Sequence, residues 1–94
     1  MFVFLVYLKL YMDNFTKEEW EQLKFFSDKV ANVHGWDHVE YIRVNEIIKN
    51  IDFDNINKNI FVELRELTNN YVIPEWACRA QTTLLNLINK LDEK

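Results

Sequence analysis

Both histidines of the chain and its only glycine fall in one short stretch, Asn32-Val33-His34-Gly35-Trp36-Asp37-His38-Val39-Glu40-Tyr41. Two imidazoles four residues apart, with a glutamate close by, are the residue types of a metal site. On an unbroken helix that spacing would bring both rings to one face, as it does in HExxH zinc hydrolases. Gly35 interrupts the stretch, which disfavours zinc hydrolysis. His34 continues the apolar line of Leu23 and Val30 and is expected to point into the interior, satisfied there or capping a helix end. His38 opens the next segment and is expected at the surface. A di-iron bundle would need inward carboxylates and imidazoles from several helices. The candidates are His34, Asp54 and one of Glu40 or Glu46.

Cys78 is the one cysteine, so no internal disulfide forms, which fits a reducing cytoplasm. An unpaired cysteine is most often packed and inert, and Cys78 is expected to be so. An exposed reactive thiol is the sharper reading, but Arg79 is the only cation adjoining it in sequence. There is no glycine-rich phosphate loop and no GxSxG elbow. No catalytic residue is assigned, and the residues leave open whether the chain is an enzyme, with the balance against it. Trp20, Trp36 and Trp76, with the phenylalanines, are expected in the core.

These side chains must be positioned by helices. The 94 residues suit one small domain, and 49% hydrophobic with 28% charged residues is a globular composition. One glycine and one proline leave few turn-makers, which favours helices over a β-sandwich. A net charge of −4 without a basic block leaves no footprint for nucleic acid.

Four helical segments follow. Thr16 is a good N-cap, with Glu18 and Glu19 in the positive first turn. Trp20, Leu23, Phe26 and Val30 then recur at helical spacing. Gly35 is expected to stop this helix with a left-handed backbone. Asp37 and Glu40 form a capping-box pattern for the second helix, with Trp36 and Tyr41 placed for a hydrophobic staple. Tyr41, Val44, Ile48 and Ile51 make its buried face. A third helix is expected from Asp54 or Asn55, burying Ile56, Ile60, Leu64 and Leu67, with Tyr71 at the edge. Asn69-Asn70 loosens its end. Pro74 is expected in the first turn of the fourth helix. Ala77, Gln81, Leu84, Ile88 and Leu91 share its face, with Gln81 as the polar exception. Short connections imply antiparallel neighbours, hence an all-α, up-and-down four-helix bundle over residues 13–94.

Residues 1–12, MFVFLVYLKLYM, stand apart. They are too short to span a bilayer and lack a secretory cleavage site, so no membrane span is expected. They read either as an extension upstream of a start at Met12 or as an apolar N-terminal arm or extra helix that promotes self-association.

Two segments carry a resemblance. Asp28–Tyr41, DKVANVHGWDHVEY, resembles the K-V-x-x-V-H-G-x-x-H-P-E segment of the di-iron iron–sulfur cluster repair proteins, which are hemerythrin-like bundles linked with nitrosative and oxidative stress. Leu64–Cys78, LRELTNNYVIPEWAC, is similar to that family's L-x-x-L-T-x-x-Y-x-x-P-x-x-A-C segment. Thr68, Asn69, Asn70, Pro74, Ala77 and Cys78 keep its spacing.

The resemblance implies iron as cofactor and His34 at a ligand position. Asp54, in Phe53-Asp54-Asn55, stands where the family's E-H-D segment has a ligand histidine. The H-M-x-K-E-E segment has no counterpart, Val39 replaces a proline, and the final H-x-x-x-E would fall past Lys94. His34 and Asp54 are thus the metal candidates, far fewer than a di-iron centre takes from one chain. A homodimer pooling them from two copies would still lack the bridging glutamates. The expectation is a small repair-like stress protein without a complete di-iron site of its own, acting with a protein partner or with itself. The alternative is a metal-free helical interaction module.

Overall fold

In the computed structural model, residues 15–93 are described, and they form an all-α four-helix bundle. The helices are α1 (Lys17–His34), α2 (Glu40–Lys49), α3 (Ile60–Leu67) and α4 (Arg79–Glu93). Helix α1 packs against both α2 and α4, and α3 packs against α2. Glu19 near the start of α1 pairs with Lys90 near the end of α4, while His34 at the other end of α1 meets Cys78 just before α4. The two helices are therefore antiparallel. The residue 1–12 arm lies outside the described residues. No helix among the described residues is long and apolar enough to cross a membrane.

Helix α1 starts as its sequence requires. The Thr16 hydroxyl accepts the Glu19 backbone N–H, and the Glu19 carboxylate accepts the Thr16 N–H, so two orphan amides are satisfied together. Leu23 and Val30 are buried with Val44, Ile48, Leu64, Leu84 and Ile88, which form the centre of one core. Ser27 and Asn45 are buried as well, and the Ser27 hydroxyl donates to Asn45 Oδ1 at 3.0 Å, tying α1 to α2.

Several sequence expectations are not met. Gly35 has φ −63°, an ordinary right-handed value, so its freedom at positive φ is not used. A Cβ there would instead press on the Ala31 carbonyl and lie 2.9 Å from Ile42 Cγ1. The glycine is needed first because the Ala31 carbonyl of the last turn of α1 occupies the place of a Cβ, and second because the Ile42 side chain of α2 lies against it. Nor is there a capping box on α2: its N-cap is Val39, without a side-chain cap. Backbone turns take its place, with Asp37 and His38 N–H donating to the His34 carbonyl and Tyr41 N–H to that of His38. The staple is absent too, because Tyr41 is buried while Trp36 is 81% exposed.

Helix α3 begins at Ile60, later than Asp54 or Asn55. Asp52 Oδ1 accepts the Asp54 N–H and Asn57 Oδ1 accepts the Asn59 N–H, and such turns compete with helix. Helix α4 begins at Arg79, after Pro74. Pro74 instead sits in a separate turn closed by Ala77 N–H on its carbonyl. The left-handed exit at Asn69 and Asn70 is present, with φ 53° and 59°, and it continues through Tyr71 at 63°. Gln81, Leu84, Ile88 and Leu91 form the buried face of α4.

Candidate functional site

Helix α1 ends at His34 and helix α4 starts after Cys78, and antiparallel packing sets these two ends side by side. His34 Nε2 lies 3.5 Å from Cys78 Sγ, across 44 positions of sequence. Cys78 precedes the first residue of α4, and its sulfur accepts the Gln81 backbone N–H at 3.4 Å. The thiol is exposed, contrary to the packed cysteine expected. Cys78 lies one residue before α4, ahead of the buried face of that helix, whose first member is Gln81.

The sulfur thus has a proton acceptor or donor in His34, an amide N–H from Gln81, and the partial positive charge of a helix start. A thiol so placed has an imidazole within reach to take its proton as it reacts, the pairing that nucleophilic cysteines use. The tyrosine hydroxyl of Tyr41 is nearby. Burial raises its pKa, the Gln81 hydrogen bond opposes this, and the electrostatic influence of Glu40 and Cys78 raises it further. Gln81 Nε2 donates to that hydroxyl at 2.7 Å, while the buried Gln81 Oε1 has no partner.

His38 is held one shell away. Its ring stacks on Trp76 with centroids 4.2 Å apart and planes 9° from parallel, and it lies 6.5 Å from the His34 ring. Asp37 Oδ2 and Glu40 Oε1 approach its two nitrogens at 3.8 and 3.5 Å. The stacking fixes the α3–α4 connection against the α1–α2 turn. Trp36 and Trp76 are exposed, so of the three tryptophans only Trp20 joins the core.

The other sequence candidate lies elsewhere. Asp54 lines a hollow with Phe61 and Leu91, at the far end of α4 from Cys78. At about 1.5 Å of rise per residue, roughly 20 Å of helix separates it from His34. One chain does not bring His34 and Asp54 to a common ion. Glu40 sits beside His38, and Glu46 pairs with Arg43 on the outer face of α2. Among the described residues no three of His, Cys, Asp and Glu gather as a metal-binding group. This donor set does not fit a pair of irons.

Sequence reasoning missed the pairing because Cys78 and His34 are far apart along the chain. The readable signal was their register, since each sits at a helix terminus of an antiparallel pair. Comparison of the chain with family models, with curated proteins and with solved structures finds no match in any of the three.

Proposed function

We propose that the chain is a small repair-like protein of nitrosative and oxidative stress that works through the Cys78 thiol, with His34 as its proton partner, and not through a di-iron centre of its own. The observation that carries the reading is the 3.5 Å approach of His34 Nε2 to an exposed sulfur that also accepts a helix N-terminal amide. Stress-derived oxidants and electrophiles react with accessible cysteine sulfur, and this arrangement offers one to solvent beside an imidazole. The resemblance of the Asp28–Tyr41 and Leu64–Cys78 segments to the iron–sulfur cluster repair proteins supplies the physiological setting.

The test is the rate of Cys78 alkylation by iodoacetamide at pH 7, in chelator, followed by mass spectrometry. His34→Ala is expected to slow it by about 10²-fold, the low end of what a positioned proton acceptor contributes. Equal rates in the two proteins would refute a role for His34.

A second reading, a metal-free interaction module, is favoured by the exposed apolar side chains of Val33, Trp36, Val39 and Trp76. It predicts self-association that chelator does not change. Light scattering of a chain starting at Met12 then tells whether residues 1–12 drive that association.

A further inference from the structure

We infer that the Cys78–His34 pair is half of a zinc site, completed by the same pair from a second copy of the chain. This rests on the reading of Cys78 as an accessible thiol next to His34, and it names what regulates that thiol.

The first argument is the bite of the pair. In tetrahedral zinc sites Zn–S is about 2.3 Å and Zn–N about 2.0–2.1 Å, which sets sulfur and nitrogen about 3.5 Å apart. His34 Nε2 and Cys78 Sγ already stand 3.5 Å apart. The ligands come from the ends of two different helices, so the spacing is held by the bundle and not by one mobile loop. A soft sulfur with an imidazole selects zinc over magnesium or calcium.

The second argument is that the pair is incomplete. Structural zinc takes four protein ligands, and the described residues of one chain offer two at this point and gather no third. A twofold axis through the ion doubles two ligands to four, giving Cys₂His₂. Two thiolates neutralise the dication while the imidazoles stay neutral, so the centre carries no net charge. A neutral centre suits burial beneath an apolar interface. The segments that flank the pair in sequence supply exposed apolar side chains for such an interface: Val33, Trp36 and Val39 on either side of His34, and Val72, Ile73 and Trp76 ahead of Cys78. His38 does not compete for the ion, since it is stacked on Trp76 with carboxylates near both nitrogens.

The chemistry balances simply. Each copy gives up one thiol proton to solvent, and the cation replaces the proton shared between Sγ and Nε2. Bound zinc blocks Cys78 from alkylation and holds two copies together; loss of zinc frees both thiols.

The full chain, stripped of metal and kept in a non-chelating phosphine reductant, is titrated with zinc chloride and with cobalt(II) chloride. Expected are about one ion per two chains, a doubling of mass by light scattering on zinc addition, and the thiolate charge-transfer and intense d–d bands of tetrahedral cobalt. Cys78→Ser and His34→Ala each abolish the mass doubling, and circular dichroism verifies that both fold. A third variant, Trp36→Ser, leaves the ligands intact and weakens the dimer at least severalfold.

One ion per monomer, dimerisation without metal, or zinc binding unchanged in His34→Ala overturns the proposal. Slowed alkylation in His34→Ala under chelator, with no zinc-dependent dimer, would leave the thiol reading standing while refuting the zinc site.

Discussion

At Cys78 a helix start, an imidazole and a backbone amide meet on one sulfur, and each arrives by a different route. The helix start is local, set where Arg79 begins α4. The amide is that of Gln81, three residues on, which donates to the sulfur as the third amide of a helix donates to an ordinary N-cap acceptor. The imidazole comes from the far side of the sequence.

Two other residues are constrained as tightly. Gly35→Ala would drive a methyl against the Ala31 carbonyl and Ile42, so a loss of about 1–3 kcal/mol is expected in urea unfolding. A neutral outcome would mean that both the last turn of α1 and the Ile42 side chain give way without cost. Tyr41→Phe deprives the buried Gln81 amide of its partner and is expected to cost about 1–3 kcal/mol. Adding Gln81→Leu removes the stranded amide as well, so the double variant is expected to recover most of that loss. Additive losses would show that the hydrogen bond is not the source.

Among the elements, α1 is the best specified by its own sequence. Its capping box and acidic first turn are local features, and both are present. Thr16→Ala is expected to destabilise the domain by about 1 kcal/mol, read as a lower urea midpoint at unchanged slope. The Glu19 carboxyl serves twice, as acceptor for the Thr16 amide and for Lys90 on α4. Burial pushes its pKa up, but the hydrogen bonds from Lys90 and Thr16 outweigh this and hold it below the ordinary value. Helices α2 and α3 are less determined locally. Their starts carry no side-chain cap, and the competing turns at Asp52 and Asn57 delay α3.

For the whole molecule, Asp92 joins the connection after α3 to the end of α4. Arg65 donates to both of its oxygens at 2.7 Å, and the Tyr71 hydroxyl adds a third bond at 2.8 Å. The Arg65 hydrogen bond is the main reason that the Asp92 pKa is lowered, against the opposing effect of burial. A carboxyl lowered on folding contributes fully above its unfolded value of 3.8, and that contribution is lost as pH falls through the folded value. Asp92→Asn is therefore expected to lose about 1 kcal/mol at pH 7, with the difference from wild type vanishing in acid. A pH-independent difference in thermal melts would argue against the ion pair.

The sequence by itself determined the helical class, the buried faces of α1 and α4, the Thr16 start and the left-handed exit at Asn69-Asn70. Each of these follows from periodicity or from a side chain bonding its own backbone a few residues away. Tertiary structure decided the start of α2, the reason for Gly35, the exposure of Trp36 and Trp76, and the separation of Asp54 from His34. It also decided that His34 would stand beside Cys78. Residues 44 positions apart meet only when two helix ends are set in register, and that register is fixed by the packing of Leu23, Val30, Leu84 and Ile88 in the common core. Side-chain types name what chemistry is available, but long-range packing decides which of them meet.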